Sequence, residues 1–258
     1  MTPFAALHRA DEPLLLPNAW DHASALALAG QGFHAVGTTS LGVAAAAGLP
    51  DGASAARDET LRLALALGTA PFMLSVDAEG GFSEDPDDVG EFARELAAVG
   101  AVGINLEDGL GPADRHAAKV TAVKSAAPGL FVNARTDTYW LGEGDEKETL
   151  ARVDTYRQAG ADGVFVPGLT DPGRIAALVD HLDGTPLNIL YSPTGPGLHR
   201  LADLGVRRVS LGSLLYRRAL GAALEAVADI RAGRVPRGGT PTYDDVQALG
   251  RRGTSSSR

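Results

Sequence analysis

The chain has 258 residues, 45% of them apolar, enough for one large α/β domain with an ample core of Ala, Leu and Val. Its 23 basic and 32 acidic residues leave a net charge of −9 with no cationic block along the body of the chain, which argues against nucleic acid or an anionic membrane as a main partner. The absence of cysteine removes disulfides, thiolate metal sites and a cysteine nucleophile. No basic segment followed by an apolar one opens the chain, and no stretch is apolar for long enough to span a bilayer, so a cytoplasmic location is expected.

In chain order, an apolar run over 14–18 ends in Pro17-Asn18, and Asp21 is placed to N-cap a helix over 23–29. A second strand over 34–40 closes in Thr38, Thr39 and Ser40. A Gly/Ala-rich loop then leads through Leu49-Pro50-Asp51-Gly52 to a helix over 57–67. The third strand, over 71–76, ends in Asp77 and Glu79 with Gly80 and Gly81 behind them. Asp85 and Pro86 open a helix over 87–99. A fourth strand over 102–106 runs into Glu107-Asp108, followed by a short Gly/Pro loop and a helix over 113–126.

The fifth strand, 130–134, runs into Arg135-Thr136-Asp137 and is followed by a helix over 146–158. A sixth strand, 163–166, precedes a helix opened by Asp171-Pro172. The seventh, 186–190, and eighth, 208–211, are followed by Gly195-Pro196-Gly197 and Gly212-Ser213, positions where many barrels bind phosphate. A long helix reaches about residue 232, one more helical turn is expected near 243–249, and the polar end over 251–258 is expected to be disordered. Eight strand–helix units in strict alternation predict a (β/α)8 TIM barrel over 1–240 with a C-terminal helical extension over 241–258.

The polar residues gather where strands end, on the face where such barrels carry their sites. Side chains two apart on a strand point the same way, so Asp77 and Glu79 are expected to converge and to need a cation or a shared proton. With Asp51 and one of the adjacent pair Glu107 and Asp108, Glu107 being preferred, they form an all-oxygen set suited to Mg²⁺ or Mn²⁺. Arg135 is suited to hold a substrate carboxylate by two parallel hydrogen bonds, or else forms a structural ion pair with Asp137 or Glu107. Asn188, inside a strand, binds either substrate or neighbouring backbone. His116 is a candidate acid–base group, though a surface position is the simpler reading. Lys119, Lys124 and Lys147 are the only lysines and none falls at a strand end, which argues against a Schiff base.

The series PNAWDHASA, VGTTS followed by LPD, VDAEGGF, GINLEDG and VNARTD resembles the isocitrate lyase/phosphoenolpyruvate mutase superfamily across nearly the whole barrel. The resemblance implies Mg²⁺ at the carboxyl end of the barrel and chemistry on 2-oxo acids, breaking C–C or P–C bonds through an enolate. It implies that Asp77 is the direct metal ligand and that Asp51, Glu79 and Glu107 act through water. It also implies that Thr39, Ser40 and Arg135, with Thr38 beside them, bind the carboxylate, and that Asn188 contacts substrate. It further implies a homo-oligomer, a dimer or tetramer, in which a C-terminal helix passes between neighbours.

The chain departs from the family pattern after Glu107-Asp108. It carries GLGPADRH where the lyases have a longer mobile loop with a Lys-x-Cys-Gly-His type motif. Cysteine-dependent cleavage of isocitrate is therefore not expected. The leading reading is a Mg²⁺-dependent lyase or decarboxylase of a 2-oxo acid of the oxaloacetate or 2-oxoglutarate type, with catalytic Arg135, Glu107 and His116. The alternatives are a phosphonopyruvate or phosphoenolpyruvate P–C bond enzyme and a non-catalytic protein that binds a 2-oxo acid and metal.

Overall fold

The computed structural model describes residues 1–142 and 144–251, the side chain of Arg251 excepted. Nine strand segments make one parallel sheet: β1 (Leu14–Leu16), β2 (Asn18–Ala19), β3 (Ala35–Thr38), β4 (Met73–Asp77), β5 (Ala101–Glu107), β6 (Phe131–Arg135), β7 (Gly163–Phe165), β8 (Leu187–Leu190) and β9 (Arg208–Ser210). β1 and β2 are two pieces of one strand, broken at Pro17, which has no N–H to give to a ladder. Its carbonyl still accepts from Gly37 N at 2.8 Å. β1 pairs with β9 and β2 with β3, so the sheet closes on itself as an eight-stranded barrel.

The helices are α1 (Pro3–Leu7), α2 (His22–Gly30), α3 (Ser40–Ala46), α4 (Arg57–Leu67), α5 (Pro86–Ala98), α6 (Ala113–Ala126), α7 (Glu146–Gln158), α8 (Pro172–Leu182), α9 (Leu198–Asp203), α10 (Leu214–Arg231) and α11 (Tyr243–Arg251). Aspartates start four of them. Asp21, Asp85, Asp145 and Asp171 each accept a backbone N–H of the first turn, and Asp21 completes a capping box with Ser24. Two helices depart from the sequence expectation. The Gly/Ala-rich segment after β3 is not a loop: Ser40–Ala46 is helical, its alanines favouring the helix while Val43 and Ala44 are buried. The N-terminal segment forms α1, with Pro3 in its first turn and Thr2 as its cap.

α1 lies at the amino-terminal end of the barrel. Its Phe4 packs edge-on against Phe131 at 5.6 Å, and Gly103 makes room for it, since a Cβ there would come within 2.6 Å of the Phe4 ring. His8 stacks on Phe131 at 4.2 Å and donates from Nδ1 to the Phe4 carbonyl. The barrel interior itself is polar. Arg208 is fully buried, with Nη2 on Asn105 Oδ1 at 3.0 Å, and Asn133 donates to the same oxygen at 2.9 Å. Outside the strands, two apolar layers pack the helices onto the sheet, one around Phe92, Leu96 and Ile104 and one around Ile175, Leu178 and Ile189.

α11 lies against α2. The expectation of disorder over 251–258 meets the last residue of α11 at Arg251 and otherwise lies outside the described residues. No helix among the described residues is long and apolar enough to cross a membrane.

Candidate active site

Asp77 is the last residue of β4 and opens onto the carboxyl face of the barrel. Two neighbours aim it. Its N–H donates to Thr38 Oγ1 at 2.8 Å, and its Oδ2 accepts from Ser40 N, at the start of α3, at 3.1 Å. Thr38 and Ser40, expected to touch substrate, thus already bond to Asp77. Thr39 is buried between them and caps α3 without a side-chain bond.

Glu79 reaches the site by a different route from the one strand alternation suggests. β4 stops at Asp77, and Glu79 sits in a left-handed turn at φ 47°, a conformation costing a non-glycine residue about 1–2 kcal/mol. Three backbone bonds hold the turn: Ala78 N to Asn105 O, Gly81 N to Ala78 O, and Glu107 N to Glu79 O. The side chain is 2% exposed, with Oε2 accepting from Ser54 N at 2.9 Å. Its Oε1 has no partner among the described residues. Burial raises the Glu79 pKa, with the Asp51 and Asp77 charges adding to it. Asp51, on the α3–α4 turn, is also raised, first by desolvation and then by Asp77, against a hydrogen bond from Ser40.

Glu107 and Arg135 close β5 and β6 and are register partners. Arg135 Nη1 lies 2.5 Å from Glu107 Oε2, and its Nη2 lies 2.6 Å from Asp137 Oδ1. Burial pushes Glu107 up to about 8, with Asp77, Asp137 and Glu79 adding to the shift and Arg135 opposing it. Asp108 turns away from this cluster. It accepts from Tyr156 Oη at 2.6 Å and Arg152 Nη1 at 3.0 Å, tying the β5–α6 loop to α7. Asp137 is buried and also accepts from Gly109 N, so it braces both Arg135 and that loop.

Beyond Glu79 and Glu107 lies a cavity of about 250 Å³, whose far wall is Arg115, His116 and Lys119 of α6. His116 is not the surface residue that the simpler reading expects. It is 3% exposed and packs edge-on to Tyr156 of α7 at 4.5 Å. Burial lowers its pKa to about 4, so the imidazole is neutral at pH 7. Lys119 belongs to a helix and not a strand end, so position at a strand end does not single it out. Its side chain is long enough to bring Nζ within 3.0 Å of Gly80 O. The signal was present in the spacing, since residues three and four apart on a helix share a face, as Arg115, His116 and Lys119 do. Asn188 is not brought to the cavity; its amide and the Ser210 hydroxyl bond each other inside the barrel.

Four carboxyl groups therefore border one mouth, with Arg135 as the cation among them. Among the described residues no three of them stand close enough to form a ready metal cage. The donor set still fits a hard cation that keeps most of its water: all oxygen, three members with raised pKa, and one buried oxygen of Glu79 unpartnered.

A closed (β/α)8 barrel with carboxylates at its carboxyl end defines a class of barrel enzymes acting on small molecules. The family model for phosphoenolpyruvate phosphomutase matches residues 4–231, and the chain belongs to that family. It is 42% identical over 252 residues to an uncharacterized protein of Mycobacterium tuberculosis, covering 95% of each chain. It resembles the crystal structure of a protein of Burkholderia cenocepacia, assigned provisionally as a lyase/mutase, at 36% identity and TM-score 0.86, covering 98% of this chain and 95% of that one. It is 29% identical over 196 residues to oxaloacetate decarboxylase of Pseudomonas entomophila, covering 69% of this chain and 66% of that protein.

Proposed function

We propose that the protein is a Mg²⁺-dependent enzyme that binds a 2-oxo acid of the oxaloacetate or 2-oxoglutarate type and breaks a C–C bond in it, as a lyase or decarboxylase. The observation that carries this reading is the pairing of an arginine fork, Arg135, with the crowded carboxyls of Asp51, Asp77, Glu79 and Glu107 at one mouth. Asp77 would hold the cation directly, with Asp51, Glu79 and Glu107 acting through its water. When bound, the ion would supply a Lewis acid that draws charge toward the 2-oxo group.

The remaining work falls to the chain's own side chains. Arg135 takes the carboxylate next to the 2-oxo group through parallel N–H bonds, releasing Glu107 to do so and keeping Asp137 on its other edge. In an oxaloacetate-type substrate the C3–C4 bond then breaks, and its electron pair passes into the 2-oxo group to give an enolate. CO₂ leaves and a proton returns to C3. Thr38 and Ser40 keep Asp77 in register through both steps. His116, neutral and buried, is poorly suited to deliver that proton at pH 7. A second reading, P–C bond chemistry, is favoured by the name of the matching family model. Inhibition by phosphonopyruvate at low concentration would support it.

The test is calorimetric titration of 2-oxo acids with and without Mg²⁺, alongside pyruvate and CO₂ assays. Asp77→Ala is expected to abolish Mg²⁺-dependent binding while circular dichroism stays native. Undiminished binding in that variant sinks the metal assignment.

A further inference from the structure

The cavity beyond Glu79 and Glu107 has walls of opposite character. The inner wall carries those two acids. The outer wall carries Arg115 and Lys119, together with the start of α6, whose N-cap position is Pro112 and has no side-chain cap. Helix N-termini leave backbone N–H groups unpaired and favour anions. The start of α6 alone would mean little, but His116 lines the same cavity. It is 3% exposed, and its Nε2 has no partner among the described residues. A buried imidazole nitrogen without a partner costs stability unless something not part of the fold satisfies it.

Lys119 adds a second indication. Its side chain is 8% exposed, with one N–H on Gly80 O at 3.0 Å and the ammonium 3.5 Å from Glu84 Oε1. Glu84 also accepts from Arg115 Nη1 at 3.0 Å, although its own side chain is 76% exposed. An exposed surface carboxylate thus bridges the two cations that border a polar cavity. That is the position a ligand's carboxylate would take.

We propose that this cavity is the subsite for the second carboxylate of a dicarboxylic 2-oxo acid, held by Lys119, Arg115 and His116 Nε2 in place of Glu84. The inference rests on the functional reading above and adds the residues that would hold the far end of its substrate. The 2-oxo end lies toward Asp77 and Arg135, and the far carboxylate meets the basic wall of α6. The cavity, at about 250 Å³, leaves room for a short acid. The short loop after β5 supplies no cation of its own, so recognition of the far end passes to α6.

The experiment uses the full-length, Mg²⁺-loaded protein and calorimetry with two probe pairs matched in carbon count. These are oxaloacetate against 2-oxobutyrate and 2-oxoglutarate against 2-oxovalerate, with oxalate reading the inner end alone. The wild type is expected to prefer the diacid of the better-binding pair by about tenfold or more. Lys119→Met should remove most of that preference and leave oxalate affinity within about twofold. Glu84→Gln should tighten the diacid about threefold and leave the monoacid unchanged. Glu84 and Arg115 have exposed side chains, so Glu84→Gln and Arg115→Gln carry the test if Lys119→Met fails to fold. Equal binding of diacid and monoacid by the wild type overturns the subsite, as does an unchanged preference in Lys119→Met or Arg115→Gln. If oxalate and every 2-oxo acid fail to bind, the functional reading falls and takes the subsite with it.

Discussion

Arg135 and Glu107 lie side by side across the β5–β6 register, Nη1 to Oε2 at 2.5 Å, at the mouth of the barrel. Asp137 takes the other edge of the same guanidinium, from Nε at 2.7 Å and Nη2 at 2.6 Å. The fork best suited to a substrate carboxylate is thus occupied by two carboxyls of the protein. One of them, Glu107, is held so far above the ordinary carboxylate range that it is mostly protonated at neutral pH. A neutral partner is easier to displace than an ion, so the Glu107 edge is the one a substrate carboxylate would take.

Arg135→Lys should weaken 2-oxo acid binding by more than tenfold, or about 1.4 kcal/mol, because an ammonium cannot reproduce two parallel bonds. Titration of oxalate with the Mg²⁺-loaded variant measures it. Unaltered affinity would make Arg135 a purely structural partner of Asp137.

The raised pKa of Glu107 has a definite signature in the metal-free protein. Its folded value of about 8 lies above the 4.5 of the unfolded chain, so between those values the folded state holds a proton that the unfolded state has lost. The contribution of this group to stability therefore falls as pH rises through this window, by up to about 1.4 kcal/mol per unit, against the opposite slope of the buried histidines His8 and His116 below pH 6.5. Glu107→Gln should flatten that slope in urea melts from pH 6.5 to 8, above the range in which the unfolded histidines take up protons. Mg²⁺ should raise the wild-type melting temperature more at pH 8 than at pH 6. A wild-type slope equal to that of Glu107→Gln would count against the assignment.

The strand–helix alternation made the barrel legible, because apolar runs and Asp or Gly punctuation are local signals. The two helices that local pattern does not announce, α1 and α3, are short, and the alanine and glycine of α3 are as common in loops. Asp77 and Arg135 are legible as strand-end side chains because each closes a mostly apolar run. Glu79 is placed by a left-handed turn, which strand alternation does not show. The Asp108 brace to Arg152 and Tyr156 joins residues 44 and 48 apart, and no local pattern announces such a contact. Nor does local pattern show that an arginine, Arg208, lies wholly inside the barrel, or that Lys119 reaches the site from a helix.

The two buried histidines set the acid limb. Burial lowers His8 to about 3 and His116 to about 4, against 6.5 in the unfolded chain; Arg208 adds to the His8 shift, while Asp108 opposes that of His116. Below pH 6.5 the unfolded chain takes up protons that the folded state refuses, so stability is lost as pH falls toward those values. Each group contributes up to about 1.4 kcal/mol per unit. His8→Leu should lose some stability at pH 7 but show a shallower decline from pH 6.5 to 4.5 in urea melts. A decline as steep as the wild type's would assign the acid limb to other groups.

α10 carries no buried residue, and its Leu220, Leu224, Val227 and Ile230 are 52%, 65%, 50% and 63% exposed. Spaced four, three and three apart, they form one apolar stripe along the helix. A contiguous exposed apolar stripe of this kind is a candidate association surface. The homo-oligomer implied by the family resemblance gives it an occupant, the same helix region of a second copy. The wild type should therefore run as a dimer or tetramer in sedimentation velocity at micromolar concentration, with a melting temperature that falls on dilution. Leu224→Glu combined with Ile230→Glu should give a monomer whose circular dichroism still shows a folded barrel, since neither side chain belongs to its core. A wild-type protein that sediments as a monomer across that range would leave the stripe without this role.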